Sequence, residues 1–122
     1  MTLEELYQNI GGDYAQAVRV LRMDKLIEKH VLKFTKNGVV EALLAAGETM
    51  DATALFESAH AVKGVSANLG LTALADAASE ITEEFRPGSS RRLSDAEVSE
   101  KLQKLSACYQ AIANGIHQYE ES

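Results

Sequence analysis

The sequence has little of what disulfide-bonded, zinc-binding or membrane-spanning proteins depend on. Its 122 residues include a single cysteine, Cys108, which can form no internal disulfide and lacks the cysteine and histidine spacing of a zinc site. No apolar run approaches membrane-spanning length, and residues 1–5 carry no features of a secretory or transit signal. We therefore expect a cytoplasmic protein that neither spans a membrane nor holds a metal ion.

Basic residues are also scarce relative to acidic ones. Twelve lysines and arginines stand against eighteen aspartates and glutamates, which gives a net charge of −6. This charge opposes binding to the phosphate backbone of nucleic acids. The Arg91-Arg92 pair is too short to form a basic patch, so nucleic acid is not an expected partner.

Proline occurs once and no β-strand alternation is recognisable, which leaves helical periodicity as the long-range pattern. The first long helix is expected to end at Gly47 and to bend or split at Asn37-Gly38. Capping residues Asp51 and Ser94 begin two of the others. The four long helices are predicted over about residues 25–46, 52–68, 72–86 and 95–119.

Four amphipathic helices with short connections predict an all-α fold. The most economical packing is an antiparallel up-down four-helix bundle over residues 24–120. Residues 1–23 are predicted to form short N-terminal accessory helices. The chain, residues 1–122, is thus expected to be one domain with one core.

The helix predicted after Asp51 carries a histidine outside its apolar stripe. The stripe consists of Leu55, Ala59, Val62, Ser66 and Leu69, which recur at three- and four-residue steps. At about 100° per residue, His60 lies roughly 140° from Leu55 and Gly64 roughly 180°. His60 is therefore predicted to point outward, one turn before a residue without a side chain.

Glycine inside a helix is about 1 kcal/mol less favourable than alanine, so Gly64 needs an explanation. We interpret it as clearing space beside the His60 imidazole for another protein's active site, and close packing of a neighbouring helix is the alternative. Lys63 lies on the adjacent helical row, where its ammonium can reach a phosphoryl group on the ring. Because histidine is a competent nucleophile at neutral pH, His60 is the candidate phosphoacceptor.

The segment Ala59–Gly70, AHAVKGVSANLG, resembles the signature of the histidine-containing phosphotransfer (HPt) domain family, an A-H-x-x-K-G core with an Asn-Leu-Gly ending. The resemblance covers most of the chain and weakens over residues 1–12 and after about residue 86. It implies that His60 is the phosphorylated histidine, Lys63 the phosphate-stabilising lysine and Gly64 the small residue that lets a receiver domain approach.

The resemblance implies a carrier in a two-component phosphorelay, without kinase activity of its own. His60 would accept a phosphoryl group from one receiver-domain aspartate and pass it to another. The expected partners are response-regulator receiver domains and a hybrid sensor histidine kinase. No cofactor is expected on this chain, because the receiver supplies the Mg²⁺. The chain is expected to be a monomer. Its two ends are compatible with a free-standing protein and with a piece of a hybrid kinase.

Two other functions compete with this interpretation. A histidine kinase dimerisation helix pair also presents a phosphorylated histidine, but it should have an acidic residue where this chain has Ala61, together with a glycine-rich ATP lid. A helical bundle that docks partners without phosphotransfer is the other alternative, and it would leave His60 unmodified.

Two other histidines and one aromatic residue are further candidates for the site. Neither His30 nor His117 is followed by both a lysine at the third position and a glycine at the fourth, which predicts a structural or solvated role for each. Phe56, one turn before His60, fits either the rim of a partner-docking surface or packing against a neighbouring helix.

Overall fold

A computed structural model describes all 122 residues, which form seven α-helices and no strand. The helices are α1 (Leu3–Ile10), α2 (Tyr14–Leu21), α3 (Asp24–Phe34), α4 (Val39–Thr49), α5 (Ala52–Asn68), α6 (Thr72–Glu84) and α7 (Asp95–Glu121). The predicted all-α class is confirmed. None of these helices is long and apolar enough to pass through a membrane.

The first helix begins at a capping box and is tied to the end of α5. The Thr2 hydroxyl accepts a hydrogen bond from the Glu5 backbone N–H, and the Glu5 carboxylate accepts one from the Thr2 N–H. Leu6 and Tyr7 are buried where α1 packs against α7. The Tyr7 hydroxyl donates to the Leu69 carbonyl over 2.6 Å, so α1 also fixes the chain just after α5.

The helix expected over residues 25–46 is two helices, α3 and α4, as the Asn37-Gly38 pair suggested. Gly38 has φ +75°, in the left-handed region that glycine adopts without strain. The expected end at Gly47 is wrong, because α4 continues to Thr49. A Cβ at Gly47 would lie 2.4 Å from the Leu102 Cδ1 of α7, so this glycine allows α4 to pack closely on α7.

Four of the helices surround the main core. α5 packs against α4 and α6, and α7 packs against the same two helices, so each contacts two neighbours in a closed ring. Large side chains with little or no exposure lie at its centre: Leu43, Leu55, Val62, Leu74, Ile81, Leu105 and Ile116. The up-down order of the four helices, and the division at residues 23 and 24, stay predictions.

Gly70 sets the distance between the end of α5 and the beginning of α2. Its φ is +72°, and a Cβ there would lie 2.1 Å from the Asp13 carbonyl oxygen. The Asp13 N–H donates to the Gly70 carbonyl over 2.7 Å. The N-terminal helices therefore hold the C-terminal end of α5 in place, with no room for a side chain between them.

Candidate functional site

The helix that carries the candidate histidine begins at a well-formed cap. The Asp51 carboxylate accepts hydrogen bonds from the backbone N–H groups of Thr53 and Ala54, at 3.0 and 3.2 Å, as the sequence predicted. The buried residues within α5 are Leu55, Ala59, Val62 and Ser66. Because the predicted core stripe is buried, the opposite side of α5 is left to solvent.

From His60 to the end of α5, five residues of that opposite side are exposed: His60, Ala61, Gly64, Ala67 and Asn68. We call them the His60 face. Apart from the histidine and the terminal asparagine, every side chain on this face is a methyl group or a hydrogen. The surface is therefore low on the C-terminal side of the imidazole, whereas the exposed Glu57 lies one turn before it.

Gly64 differs from the other two glycines that lie inside helices. A Cβ at Gly47 would meet Leu102, and a Cβ at Gly115 would lie 2.3 Å from the Ile10 Cγ2. Apart from the adjoining backbone of α5 itself, no atom lies within 4 Å of a Cβ built at Gly64. Close packing of a neighbouring helix, the alternative explanation of this glycine, is therefore excluded.

The imidazole of His60 stacks on Phe56. The two ring centroids are 5.9 Å apart and the ring planes differ by 14°. Phe56 is half-buried and packs against the core, and the Cζ of Arg86 lies 5.7 Å from its ring centroid. Phe56 thus packs within the chain, which was one of the two interpretations of this residue. Its ring also stacks on the imidazole of the candidate nucleophile, His60.

The charged groups next to this stack come from α6 and the residues after it. Arg86 donates two hydrogen bonds to Glu83, from Nε at 3.0 Å and from Nη2 at 2.6 Å. These bonds hold the pKa of the Glu83 carboxyl below its usual value, and the positive charge of Lys63 lowers it further. Lys63 is partly exposed, and its effect on Glu83 shows that it lies within electrostatic range of an α6 carboxylate. We call Phe56, His60, Glu83 and Arg86 the Phe56 cluster.

Sequence reasoning did not find Glu83 and Arg86. Their i, i+3 spacing at the end of the helix after α5 was the available signal. Only three residues separate α5 from α6, so the two helices fold back on each other. This brings the end of α6 to Phe56, near the beginning of α5.

The surroundings of His60 are open. A cleft of about 410 Å³ lies between the beginning of α5 and residues 84–91, and Phe56 and Arg86 line it whereas His60 does not. No three histidine, cysteine, aspartate or glutamate side chains lie together in a way that could hold a metal ion. The arrangement offers an accessible nucleophile with cations nearby, on a surface that a partner could cover.

The other two histidines are both exposed. His30 lines a separate cleft of about 300 Å³, together with Lys33 of α3 and with Val65 and Asn68 of α5. The His117 Nδ1 lies 3.6 Å from the Glu120 carboxylate near the end of α7. Neither histidine has a glycine on the next turn of its helix.

The structure is thus an all-helical domain that exposes a histidine beside a lysine and an open glycine turn. A family model for the Hpt domain matches residues 2–115, and the chain belongs to the Hpt domain family. The match extends well beyond the region where the signature was clearest. Hpt domains transfer phosphoryl groups in phosphorelays together with receiver domains and histidine kinases. No match was found among curated proteins or solved structures.

Proposed function

We propose that this chain is a histidine phosphotransfer protein in which His60 accepts a phosphoryl group from one receiver-domain aspartate and passes it to another. The observation that carries the proposal is the empty space above Gly64, one turn from the exposed imidazole. Residues four apart are neighbours on a helix surface, so a side chain at position 64 would stand beside the ring. The missing side chain leaves room for the loops around a receiver's aspartate.

The chemistry that we propose for His60 is a reversible displacement at phosphorus. The unprotonated ring nitrogen attacks, the nitrogen–phosphorus bond forms, and the bond from phosphorus to the receiver's carboxylate oxygen breaks. The carboxylate leaves, and the other ring nitrogen keeps its hydrogen. We assign the attack to Nε2, since it is the ring nitrogen farther from the helix backbone. In the onward step a second receiver's aspartate attacks phosphorus and the imidazole leaves.

Lys63 is proposed to stabilise the phosphoryl group on His60. It lies three residues further along α5, on a neighbouring row of the helix surface. Its positive charge lowers the pKa of Glu83 across the α5–α6 interface, which supports an electrostatic role for Lys63 on this side of α5. A phosphoryl group would add a stronger anionic partner at the same place.

The receiver is proposed to supply the Mg²⁺ and the acidic pocket, so that this chain contributes no cofactor. The proposal also includes a cytoplasmic monomer without kinase activity of its own, which works with a hybrid sensor kinase. An up-down order of α4 to α7 fits it, and the closed ring of helix contacts and the short α5–α6 connection support that order.

The test is transfer from a response-regulator receiver domain that has been phosphorylated with acetyl phosphate and Mg²⁺. We expect an acid-labile phosphate at His60, and we expect it to be absent in His60→Gln. Matched controls are His30→Gln and His117→Gln, which remove the other exposed histidines. Labelling at either of those positions, or none from a series of receivers, would contradict the proposal and favour a docking module without transfer.

A further inference from the structure

We infer that Phe56 and Arg86 are positioning residues, which orient the His60 imidazole before a partner arrives. The inference rests on the proposed role of His60 as phosphoacceptor and deepens it. It concerns the Phe56 cluster, which joins α5 to the end of α6.

The first step is the geometry of the two rings. Phe56 and His60 are four residues apart, so they are neighbours on α5. Their centroid distance of 5.9 Å and interplanar angle of 14° describe a nearly parallel, stacked pair. The second side-chain torsion of a histidine is otherwise broad, because little opposes rotation of the ring. A parallel neighbouring ring restricts that rotation and so sets the direction of the ring nitrogens.

The second step is how Phe56 itself is held. One part of its ring packs against the core, and the Arg86 guanidinium lies 5.7 Å from the ring centroid, within the range of a cation–π contact. Arg86 is in turn fixed by two hydrogen bonds to Glu83. The orientation of the imidazole therefore depends on α6 as well as on its own helix.

The third step connects this orientation with transfer. Displacement at phosphorus requires the nitrogen lone pair to lie in line with the bond that breaks, and a correctly held nucleophile reacts faster than a freely rotating one. On an open surface the chain offers no enclosing pocket to hold the ring. The stack provides this constraint while leaving the side of the imidazole toward Gly64 uncovered.

The experiment compares Phe56→Leu with Phe56→Tyr, which keeps a ring, and Arg86→Gln with Arg91→Gln. Arg91 is the matched control, because its guanidinium lies 5.0 Å from the centroid of a different ring, Phe85. Folding of each variant is checked by circular dichroism. The first readout is the NMR spectrum of the unphosphorylated protein. We expect Phe56→Leu to abolish the ring-current displacement of the His60 ring protons, and Phe56→Tyr to preserve it.

The second readout is the rate at which phosphoramidate phosphorylates His60. Phosphoramidate is a small donor whose phosphorus–nitrogen bond breaks with loss of ammonia as the imidazole–phosphorus bond forms. We expect Phe56→Leu to slow this reaction about two- to tenfold, which is the size of an aromatic stacking contribution. Arg86→Gln should slow it less, and Phe56→Tyr and Arg91→Gln should react at the wild-type rate.

Unchanged ring-proton shifts in Phe56→Leu would overturn the inference, as would a lower rate without a change of shift. The two readouts also separate this inference from the proposed function. If wild-type His60 took up no phosphoryl group from any donor, the phosphoacceptor role would fail, whereas the NMR shifts would still show whether Phe56 orients the ring.

Discussion

Gly64 lies one turn after His60 on α5, and no atom of the chain occupies the space where its side chain would stand. The other glycines inside helices are fixed by neighbours, Gly47 by Leu102 and Gly115 by Ile10. Stability alone would therefore favour alanine at position 64, since glycine is a poor helix former. This contrast supports the proposal that Gly64 serves the approach of a partner to the imidazole.

Two substitutions at position 64 are predicted to have different effects, one on stability and the other on phosphoryl transfer. Gly64→Ala should raise the free energy of unfolding by about 0.5–1 kcal/mol, because the helix gains propensity and nothing clashes. Gly64→Gln should remain folded but slow transfer from a phosphorylated receiver, since the longer side chain fills the space beside the ring. Urea denaturation and transfer rates measure the two effects.

Phosphoramidate serves as the matched donor for Gly64→Gln. It is small enough to reach the imidazole past a glutamine, so its reaction should change little. If Gly64→Gln accepted phosphoryl groups from the receiver at the wild-type rate, the open turn would not serve docking.

Replacing Lys63 tests the role of its charge in phosphoryl transfer separately from any effect on folding. Lys63→Ala should leave the melting temperature nearly unchanged, because this side chain forms no salt bridge within 4 Å. It should slow transfer or shorten the lifetime of the phosphohistidine, which are measured by loss of label over time. The control is Lys104→Ala, which removes an exposed cation that pairs with Glu100 on α7. If Lys63→Ala and Lys104→Ala give the same transfer rate and the same phosphohistidine lifetime, the charge of Lys63 has no specific role.

Periodicity predicted which side of α5 is buried, and hence that His60 is exposed, because a helix in a bundle repeats its core contacts every three or four residues. It could not assign Gly47 correctly, because a glycine that ends a helix and one that admits a neighbouring leucine look alike in sequence. The Phe56 cluster was missed for a related reason. The contact between Phe56 and Arg86 depends on how two helices are aligned, which the pattern within either helix does not specify.

A further prediction concerns Ser66, which is fully buried on the core side of α5. Its hydroxyl has no hydrogen-bond partner. Burying it therefore costs the free energy of desolvating a polar group, and no hydrogen bond offsets that cost. Ser66→Ala should raise the free energy of unfolding by about 1 kcal/mol. The measurement is urea denaturation, with Ser58→Ala as the control, because the Ser58 hydroxyl donates to the Ala54 carbonyl over 2.6 Å. A destabilised Ser66→Ala would mean that the hydroxyl has a partner when the protein is in solution.

The proposed lack of kinase activity is tested by incubating the chain with Mg²⁺-ATP and no other protein. The sequence has no phosphate-binding glycine-rich loop, so we expect no label at His60 under these conditions. The same preparation should become labelled when a phosphorylated receiver is added. Self-phosphorylation by the pure chain would indicate that the protein is a kinase and not only a carrier.

The last prediction concerns alkaline pH, since all four tyrosines have a raised pKa. A hydrogen bond to Glu28, together with burial, raises the pKa of Tyr119 to about 12. A hydrogen bond to Asp24 raises that of Tyr14, and burial is the main cause for Tyr7 and Tyr109. In the unfolded chain each of these hydroxyls ionises near a pKa of about 10. The chain has no tryptophan, so the near-ultraviolet absorbance of tyrosinate reports their ionisation directly.

Because the folded protein holds these protons more tightly than the unfolded chain, their stabilising contribution is fully present below a pH of about 10. It is lost as the pH rises from there through about 12, the pKa of Tyr119 in the folded state. Melting temperatures should therefore fall across this range, and they should fall less in Tyr119→Phe, which has no hydroxyl to ionise. A tyrosine that titrates near a pKa of about 10 while the circular dichroism is still that of the folded protein would contradict the prediction.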